Sequence, residues 1–156
     1  LVETAADAQR IVQAGRYPPI GRRSAGGVRP LMHGLAGMQQ ADTQTALGAL
    51  IETARGVDNA TAICAVPGLH FVFIGTGDLG LSLGDAGAGT LNACCARVRV
   101  AANANGLPCG IFTNDADAAR AALADGYDMV VAANDIELAH RGFGQALGTC
   151  GAKLVT

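Results

Sequence analysis

The sequence is short of charged and aromatic residues. Of its 156 residues, only 15% are Asp, Glu, Lys or Arg, only 4% are aromatic, and Trp is absent. Soluble domains usually carry about 25% charged residues, so this chain has few of the side chains that normally face water. Half of the residues are hydrophobic, which excludes a disordered chain. With 22 glycines, this composition favours helices packed closely on a buried sheet, or surface hidden in an oligomer.

Strong net charge and long hydrophobic runs are also missing. The formal net charge is −2, and the longest basic run is Arg22-Arg23. A nucleic-acid or anionic-membrane surface needs a basic patch, so we expect neither partner. No apolar stretch approaches the roughly 20 residues that cross a bilayer, and we recognise no secretory signal. These features predict a cytoplasmic protein.

Paired-cysteine motifs are absent as well. The five cysteines show no C-x-x-C spacing, which excludes the usual zinc sites and a thioredoxin-type motif. Cys94 and Cys95 fall within a predicted helix, and we expect both to fill the core. His33 is expected at a surface or interface, within a long loop, and His70 and His140 are expected to be structural. No G-x-S-x-G motif supports serine hydrolysis.

What is present is a repeated pattern of apolar run, polar loop and amphipathic helix. Leu1-Val2 reads as the end of a strand, and further strands are predicted over 47–52, 69–75, 107–113 and 127–133. Helices are predicted over 4–16, 53–66, 90–106, 115–126 and 135–147, and a loop over 16–27. The expected helix caps are Thr4 (with Asp7), Thr53, and Asn114 or Asp115. Because the chain begins with a strand end and not with Met, it resembles part of a longer protein.

Strands that are apolar on both faces and alternate with helices predict a parallel sheet covered by helices. Two architectures stay open at this point: a doubly wound open sheet, or part of a (β/α)₈ barrel. An intact barrel typically takes about 250 residues. In both architectures the functional residues lie at the carboxyl ends of the strands.

Two carboxylates follow adjacent predicted strands, Glu52 after the strand 47–52 and Asp78 after the strand 69–75. Neighbouring parallel strands lie about 5 Å apart, so both side chains can reach one hard cation such as Mg²⁺ or Mn²⁺. Taken singly, Glu52 is equally well explained as a helix-capping residue. Asp78 is likewise explained by an Asx-type turn.

The loop IGTGDL adds backbone donors beside Asp78. Gly75 and Gly77 allow close approach, and successive N–H groups at a turn that enters a helix bind anions such as a substrate carboxylate. The other interpretation is a plain glycine turn. A Walker-type phosphate loop is excluded because no Gly-Lys-Ser/Thr follows, and a dinucleotide site lacks its third Gly.

Three segments, in chain order, resemble the HpcH/HpaI family of aldolases, which is related to the citrate lyase beta subunit. They are VETAADAQRIVQAGRYPPIGRRSAGG, LIET and VPGLHFVFIGTGDLGLSLG. The resemblance implies the C-terminal half of a (β/α)₈ TIM barrel: the end of strand four, and strands five to eight with their helices. Residues 1–156 would then form a single domain, the C-terminal portion of that barrel.

The resemblance also implies a class II, metal-dependent aldolase, a carbon-carbon lyase acting through a pyruvate enolate chelated by a divalent cation. Glu52 and Asp78 would be the metal ligands, for Mg²⁺ or Mn²⁺ with Co²⁺ as a further candidate. The amides of Gly77 and Asp78 would hold the substrate carboxylate. The partners would be a 2-oxo acid such as pyruvate, an aldehyde, and further copies of the chain in a homo-oligomer.

Departures from the family pattern leave alternatives. The family's catalytic His and Arg lie in the half that this chain lacks, so no catalytic residue is assigned. Leu50 stands where Gln is frequent, and Thr76-Gly77 replaces the usual Pro-Ala. Arg16 and Arg22 are expected to hold the R-Y-P-P loop for structure. The alternatives are a relative acting on citrate-type or acyl-CoA-type substrates, or a truncated inactive chain.

Overall fold

The computed structural model of the chain describes residues 1–28 and 32–151. Its strands are β1 (Gly48–Ile51), β2 (Phe71–Ile74), β3 (Cys109–Phe112) and β4 (Met129–Val131). Its helices are α1 (Ala5–Gly15), α2 (Gly34–Gln44), α3 (Ala54–Asp58), α4 (Ala60–Cys64), α5 (Thr76–Leu83), α6 (Gly87–Ala104), α7 (Ala116–Ala124) and α8 (Asp135–Thr149). A 3-10 turn, Gly84–Ala86, joins α5 to α6. The domain predicted over 1–156 includes residues 29–31 and 152–156, which lie outside the described residues.

The four strands form one parallel sheet in the order β1-β2-β3-β4. The register places Ile51, Ile74 and Ile111 side by side across β1, β2 and β3. Val2 N–H donates to Leu50 O at 3.2 Å, so the predicted strand end at the start of the chain lies beside β1. The order follows the chain without reversal, unlike a doubly wound sheet, whose strand order reverses at a switch point. The predicted α/β fold with a parallel sheet is therefore confirmed.

The sequence-predicted caps define where several helices begin. The Thr4 hydroxyl accepts from Asp7 N–H at 3.2 Å while the Asp7 carboxylate accepts from Thr4 N–H at 2.8 Å, a complete capping box. Thr53 accepts from Gly56 N–H at 3.0 Å. Asp115, and not Asn114, caps α7 by accepting from Ala118 N–H at 2.8 Å. Each side chain satisfies an amide that a helix start leaves without an intrahelical acceptor.

Two helical predictions are corrected. The helix predicted over 53–66 is divided into α3 and α4 at Asn59, whose side-chain amide donates to Glu3 O at 2.8 Å and to Arg55 O at 3.1 Å. Helix α2 lies where a long loop was expected, and His33 is its exposed N-cap residue. No residue of α2 is buried.

Helices cover one face of the sheet in the described part of the chain. That face carries the buried residues Ala49, Ile51, Val72, Ile74, Cys109 and Ile111. Cys94 and Cys95 of α6 pack in the same core, as predicted. The opposite face is partly open, with Leu50 39% and Met129 36% exposed. The predicted covering of the sheet by helices is thus observed on one face of the sheet in the described residues.

None of the described helices is both long enough and apolar enough to traverse a bilayer.

Candidate metal and carboxylate site

Glu52 directly follows β1 and points its carboxylate against the end of β2. Its side chain is buried, with 9% of the residue exposed. Gly75, which follows β2, donates from its N–H to Ile51 O at 3.2 Å and so continues the pairing of the two strands. A Cβ at position 75 would lie 2.6 Å from Glu52 Oε2, well inside van der Waals contact. A larger residue here would therefore displace the Glu52 side chain, which fills the space.

Asp78 lies in the first turn of α5, so the turn predicted at 75–78 is the start of a helix. Gly75 is the N-cap residue, and Leu79 N–H donates to Gly75 O at 2.9 Å. Leu79 is fully buried and anchors this turn in the core, whereas the Asp78 side chain is exposed. Since β1 and β2 are adjacent and parallel, Glu52 and Asp78 follow neighbouring strands at one edge of the sheet.

The opening amides of α5 form a donor surface beside Asp78. The N–H groups of Thr76, Gly77 and Asp78 occupy the first three helical positions and have no intrahelical acceptor. The partial positive charge of a helix N-terminus lies at the same place. A Cβ at Gly77 would meet no heavy atom within 4 Å, so the space in front of this residue is open. The arrangement suits an anion.

The pKa of Glu52 is governed mainly by burial and by the Asp78 carboxylate. Burial raises its pKa above the ordinary value, and repulsion by the Asp78 carboxylate raises it further. In residues 1–28 and 32–151, neither carboxylate is within ion-pair distance of a Lys or Arg. A buried carboxylate close to a second one is costly unless a proton or a cation balances it. This donor pair therefore fits a bound cation.

In the described residues, the candidate cation site has two carboxylate ligands, Glu52 and Asp78. The part of the chain that the structure describes contains no group of three or more His, Cys, Asp or Glu side chains able to hold a metal. Mg²⁺ commonly keeps several waters and takes only one or two carboxylates together with substrate oxygens. Two carboxylates on an open edge fit that coordination chemistry and do not fit a closed structural zinc site.

Other polar residues at the same edge are engaged in structural contacts. The Glu3 carboxylate accepts from Thr53 Oγ1 at 3.0 Å and pairs with Arg55 at 3.5 Å. Thr113 Oγ1 donates to Val131 O at 2.8 Å, and Asn134 caps α8 by accepting from Glu137 N–H at 2.8 Å.

Sequence reasoning missed Ser82, on the last turn of α5. Its hydroxyl oxygen accepts from Ala54 N–H at 3.0 Å, which connects α5 to the segment that follows Glu52. No signal in the sequence marks this contact, because a serine 28 positions away from its partner has no periodic or motif relation to it.

Arg16 has the structural role predicted for it. It is buried, with 6% exposure, and its Nη1 donates to Asp42 O at 2.6 Å and to Thr45 O at 2.8 Å. Its Nη2 lies 3.2 Å from His70 Nε2, and His70 Nδ1 accepts from Leu47 N–H at 3.1 Å. His70 immediately precedes β2, so this network lies at the opposite end of the sheet from Glu52. Arg22 is exposed.

Two cavities of the described chain lie between helices and do not include Glu52, Gly77 or Asp78 in their walls. One of about 570 Å³ is bounded by α3, α4 and α6. The other, of about 510 Å³, lies between α6 and α7, with Thr76 at its edge. Neither cavity is therefore part of the candidate site.

The fold and this edge define an α/β protein with candidate chemistry at the carboxyl ends of its parallel strands. The chain belongs to the HpcH/HpaI aldolase/citrate lyase family, whose sequence model matches residues 1–141. The family predicted from the sequence motifs is confirmed.

Similar proteins include aldolases and a solved structure of the same family. A hydroxypyruvate/pyruvate aldolase of Rhizorhabdus wittichii is 38% identical over 144 residues, which are 88% of this chain and 57% of that protein. A 4-hydroxy-2-oxovalerate aldolase of Novosphingobium aromaticivorans is 41% identical over 122 residues, 74% of this chain and 46% of the relative. A family member from Burkholderia cenocepacia J2315 superposes with a TM-score of 0.88 at 34% identity, covering 97% of this chain and 63% of the other. The chain spans about half the length of the curated relatives it matches.

Proposed function

We propose that this chain is the C-terminal half of a (β/α)₈ barrel that acts as a metal-dependent aldolase on 2-oxo acids. It would form a single domain comprising the end of strand four and strands five to eight, in a cytoplasmic homo-oligomer. The observation that carries the proposal is the buried Glu52 carboxylate beside Asp78, next to the opening amides of α5. The aldolase names of the relatives at 38% and 41% identity support the reaction class.

In this proposal Glu52 and Asp78 hold a divalent cation, Mg²⁺ or Mn²⁺ or alternatively Co²⁺. The lack of a Lys or Arg ion pair to either carboxylate within residues 1–28 and 32–151 supports the assignment. A cation bound there would supply a Lewis acid for the keto oxygen of pyruvate or a similar 2-oxo acid. The contribution of the protein is to hold both carboxylates at one place, where a cation would offset the burial and repulsion that raise the pKa of Glu52.

The N–H groups of Gly77 and Asp78 orient the substrate in this proposal. A 2-oxo acid carries a carboxylate next to its keto group, and the two N–H groups would donate hydrogen bonds to that carboxylate at the helix N-terminus. The open space before Gly77 supports this role, because a ligand can approach the backbone closely.

A second candidate is a chain that binds the metal and the 2-oxo acid but does not complete the aldol reaction. The partly open sheet face favours it. The family's catalytic His and Arg fall outside the matched half, so proton transfer would need groups from elsewhere.

Exchange of the methyl protons of pyruvate in D₂O tests the proposal. The 156-residue chain is incubated with pyruvate and Mn²⁺, then with a chelator, and exchange is followed by NMR. We expect exchange that requires the metal and is lost in Glu52→Gln and Asp78→Asn. The exposed Asp85→Asn provides a matched control outside the site.

The outcomes separate the two candidates. Metal-dependent exchange supports the enolate chemistry of an aldolase. Mn²⁺ binding that needs Glu52 and Asp78, without exchange, supports the binding-only chain. Mn²⁺ binding that is unaffected in both variants contradicts the proposed site.

A further inference from the structure

We propose that the hydroxyl groups of Thr76 and Ser82 hold the two ends of α5 and thereby set the separation of the Glu52 and Asp78 carboxylates. Both are positioning residues that act through α5. The inference rests on the proposed function, because the separation matters only if both carboxylates bind one cation.

Ser82 connects the helix that carries Asp78 to the segment that carries Glu52. Its acceptor contact is with Ala54 N–H at 3.0 Å, two residues after Glu52. That amide opens α3 and has no acceptor within its own helix. Ser82 follows Asp78 by one turn of α5, so the two residues lie on the same side of the helix. One hydrogen bond therefore couples the two carboxylate-bearing segments directly.

Thr76 holds the other end of α5 on the opposite side of β2. Its Oγ1 donates to Phe112 O, at the end of β3, at 3.2 Å. Ser82 reaches toward the β1 side, and Thr76 reaches toward the β3 side. Since the two contacts are at opposite ends of the eight-residue helix, together they restrain both sliding and rotation of α5.

The position of Asp78 depends on α5, whereas Glu52 is restrained by its own packing. The Glu52 carboxylate is buried against Gly75 and has little room to move. The exposed Asp78 side chain follows the placement of its helix. Mg²⁺ demands near-ideal distances to its oxygen ligands, so a small drift of α5 lowers metal affinity.

The same geometry predicts that removal of the Ser82 hydroxyl affects metal affinity more than stability. Ser82 is exposed, so in its absence water can bind Ala54 N–H and the free energy of unfolding changes little. The freedom gained by α5 nevertheless separates the two carboxylates. A residue with only a structural role would lower stability and leave the affinity of the folded chain unchanged.

The test measures Mn²⁺ affinity of the full chain by electron paramagnetic resonance, with thermal unfolding in parallel. We expect Ser82→Ala and Thr76→Val each to weaken Mn²⁺ binding about fivefold, the size of one net hydrogen bond. Ser82→Thr keeps the hydroxyl and should restore wild-type affinity. Thr90→Val is the matched control. The Thr90 hydroxyl donates to Ala86 O at the start of α6, and among the described residues it forms no hydrogen bond with α5 or with the segment that carries Glu52.

Amide hydrogen exchange at Ala54 provides a metal-free readout of the Ser82 contact. We expect protection in the wild type and in Ser82→Thr, and loss of protection in Ser82→Ala. Absence of protection in the wild type, or wild-type Mn²⁺ affinity in both Ser82→Ala and Thr76→Val, overturns the inference. If the wild-type chain binds no Mn²⁺, the proposed metal site fails, and with it the role of these hydroxyls, whatever the amide shows.

Discussion

The position of the Glu52 side chain depends on Gly75, which has no side chain of its own. Gly75 leaves the space that the Glu52 carboxylate fills, with a φ of −85° that other residues adopt easily. Position 75 is therefore restricted by the volume available there and not by its backbone conformation. Gly80, in the middle of α5, differs because a Cβ there would meet nothing within 4 Å.

This contrast gives a paired prediction. Gly75→Ala should weaken Mn²⁺ binding about tenfold, since overpacking a full site costs roughly 1–3 kcal/mol and the Glu52 side chain must move. Gly80→Ala should leave Mn²⁺ binding unchanged and stabilise the chain by about 0.5–1 kcal/mol, because Ala favours helix interiors. Titration calorimetry and urea unfolding measure the two effects. Equal Mn²⁺ affinity in both variants would contradict the packing argument.

Buried thiols are a second feature at the residue scale. Burial raises the pKa of Cys64 and Cys95 to about 11, and that of Cys109 to about 12. Cys150 is exposed. The folded chain therefore keeps these three thiols protonated at a pH where an unfolded chain would begin to ionise them.

A pH dependence of stability follows from that difference. The pKa values of the buried thiols are higher in the folded chain than in the unfolded chain. The thiols therefore contribute fully to the free energy of unfolding below pH ~8.5, and this contribution is lost as the pH rises from there toward 11 to 12. We expect the free energy of unfolding to fall by up to about 1.4 kcal/mol per pH unit for each thiol. Urea unfolding between pH 7 and 10 measures this slope, which should be shallower in Cys109→Ala. At pH 8 a thiol reagent should label Cys150 in the native chain, and rapid labelling of Cys109 would disprove the interpretation.

At the scale of elements, polar contacts hold α2, which buries no side chain of its own. Arg16 donates to carbonyl oxygens of Asp42 and Thr45 at the end of α2. The Asp42 carboxylate in turn accepts from Tyr17 N–H at 3.0 and 3.1 Å. The R-Y-P-P loop and α2 are therefore one polar assembly organised around a buried guanidinium.

We expect Arg16→Lys to lower the free energy of unfolding by about 2–3 kcal/mol. An ammonium group cannot reproduce the fork that reaches two carbonyls and a histidine, and hydrogen bonds to charged groups contribute about 1.5–3 kcal/mol. Urea unfolding measures the loss. The exposed Arg22→Lys serves as the control and should stay within about 0.5 kcal/mol of the wild type. If the two variants behave alike, the Arg16 network is not what holds α2.

At the scale of the whole molecule, the sheet has one face packed by helices and one face partly open. Leu50 and Ile51 are adjacent in β1 and point to opposite faces, with 39% and 0% of their surface exposed. Proteins normally cover an apolar sheet face, so we expect this open face to take part in association. The homo-oligomer stays a prediction.

The two residues allow a direct test of the open face. Leu50→Gln should leave the free energy of unfolding within about 0.5 kcal/mol and weaken self-association, because the change removes apolar surface from the open face only. Ile51→Gln should cost more than about 3 kcal/mol, since it buries an amide without a partner. Sedimentation velocity and urea unfolding give the two readouts. Unchanged association in Leu50→Gln would show that this face is not involved.

Several local elements could be predicted from the sequence because their causes are local. Thr4, Thr53 and Asp115 each cap the amide three residues ahead, so a short window contains the whole interaction. The apolar strand patterns likewise predicted the four parallel strands. The break at Asn59 was not predictable, because its side chain bonds to Glu3, 56 positions away.

The candidate site likewise has features that the sequence predicted and features that it could not predict. The motifs LIET and IGTGDL determined by themselves which residues follow the strands and which family the chain resembles, because both are contiguous patterns. Only the tertiary structure decided that Gly75 leaves room for Glu52, that Ser82 reaches Ala54, and that helices cover a single face of the described sheet. Those facts depend on which elements come to lie side by side, and packing between distant segments is set by the whole chain and not by any stretch of it.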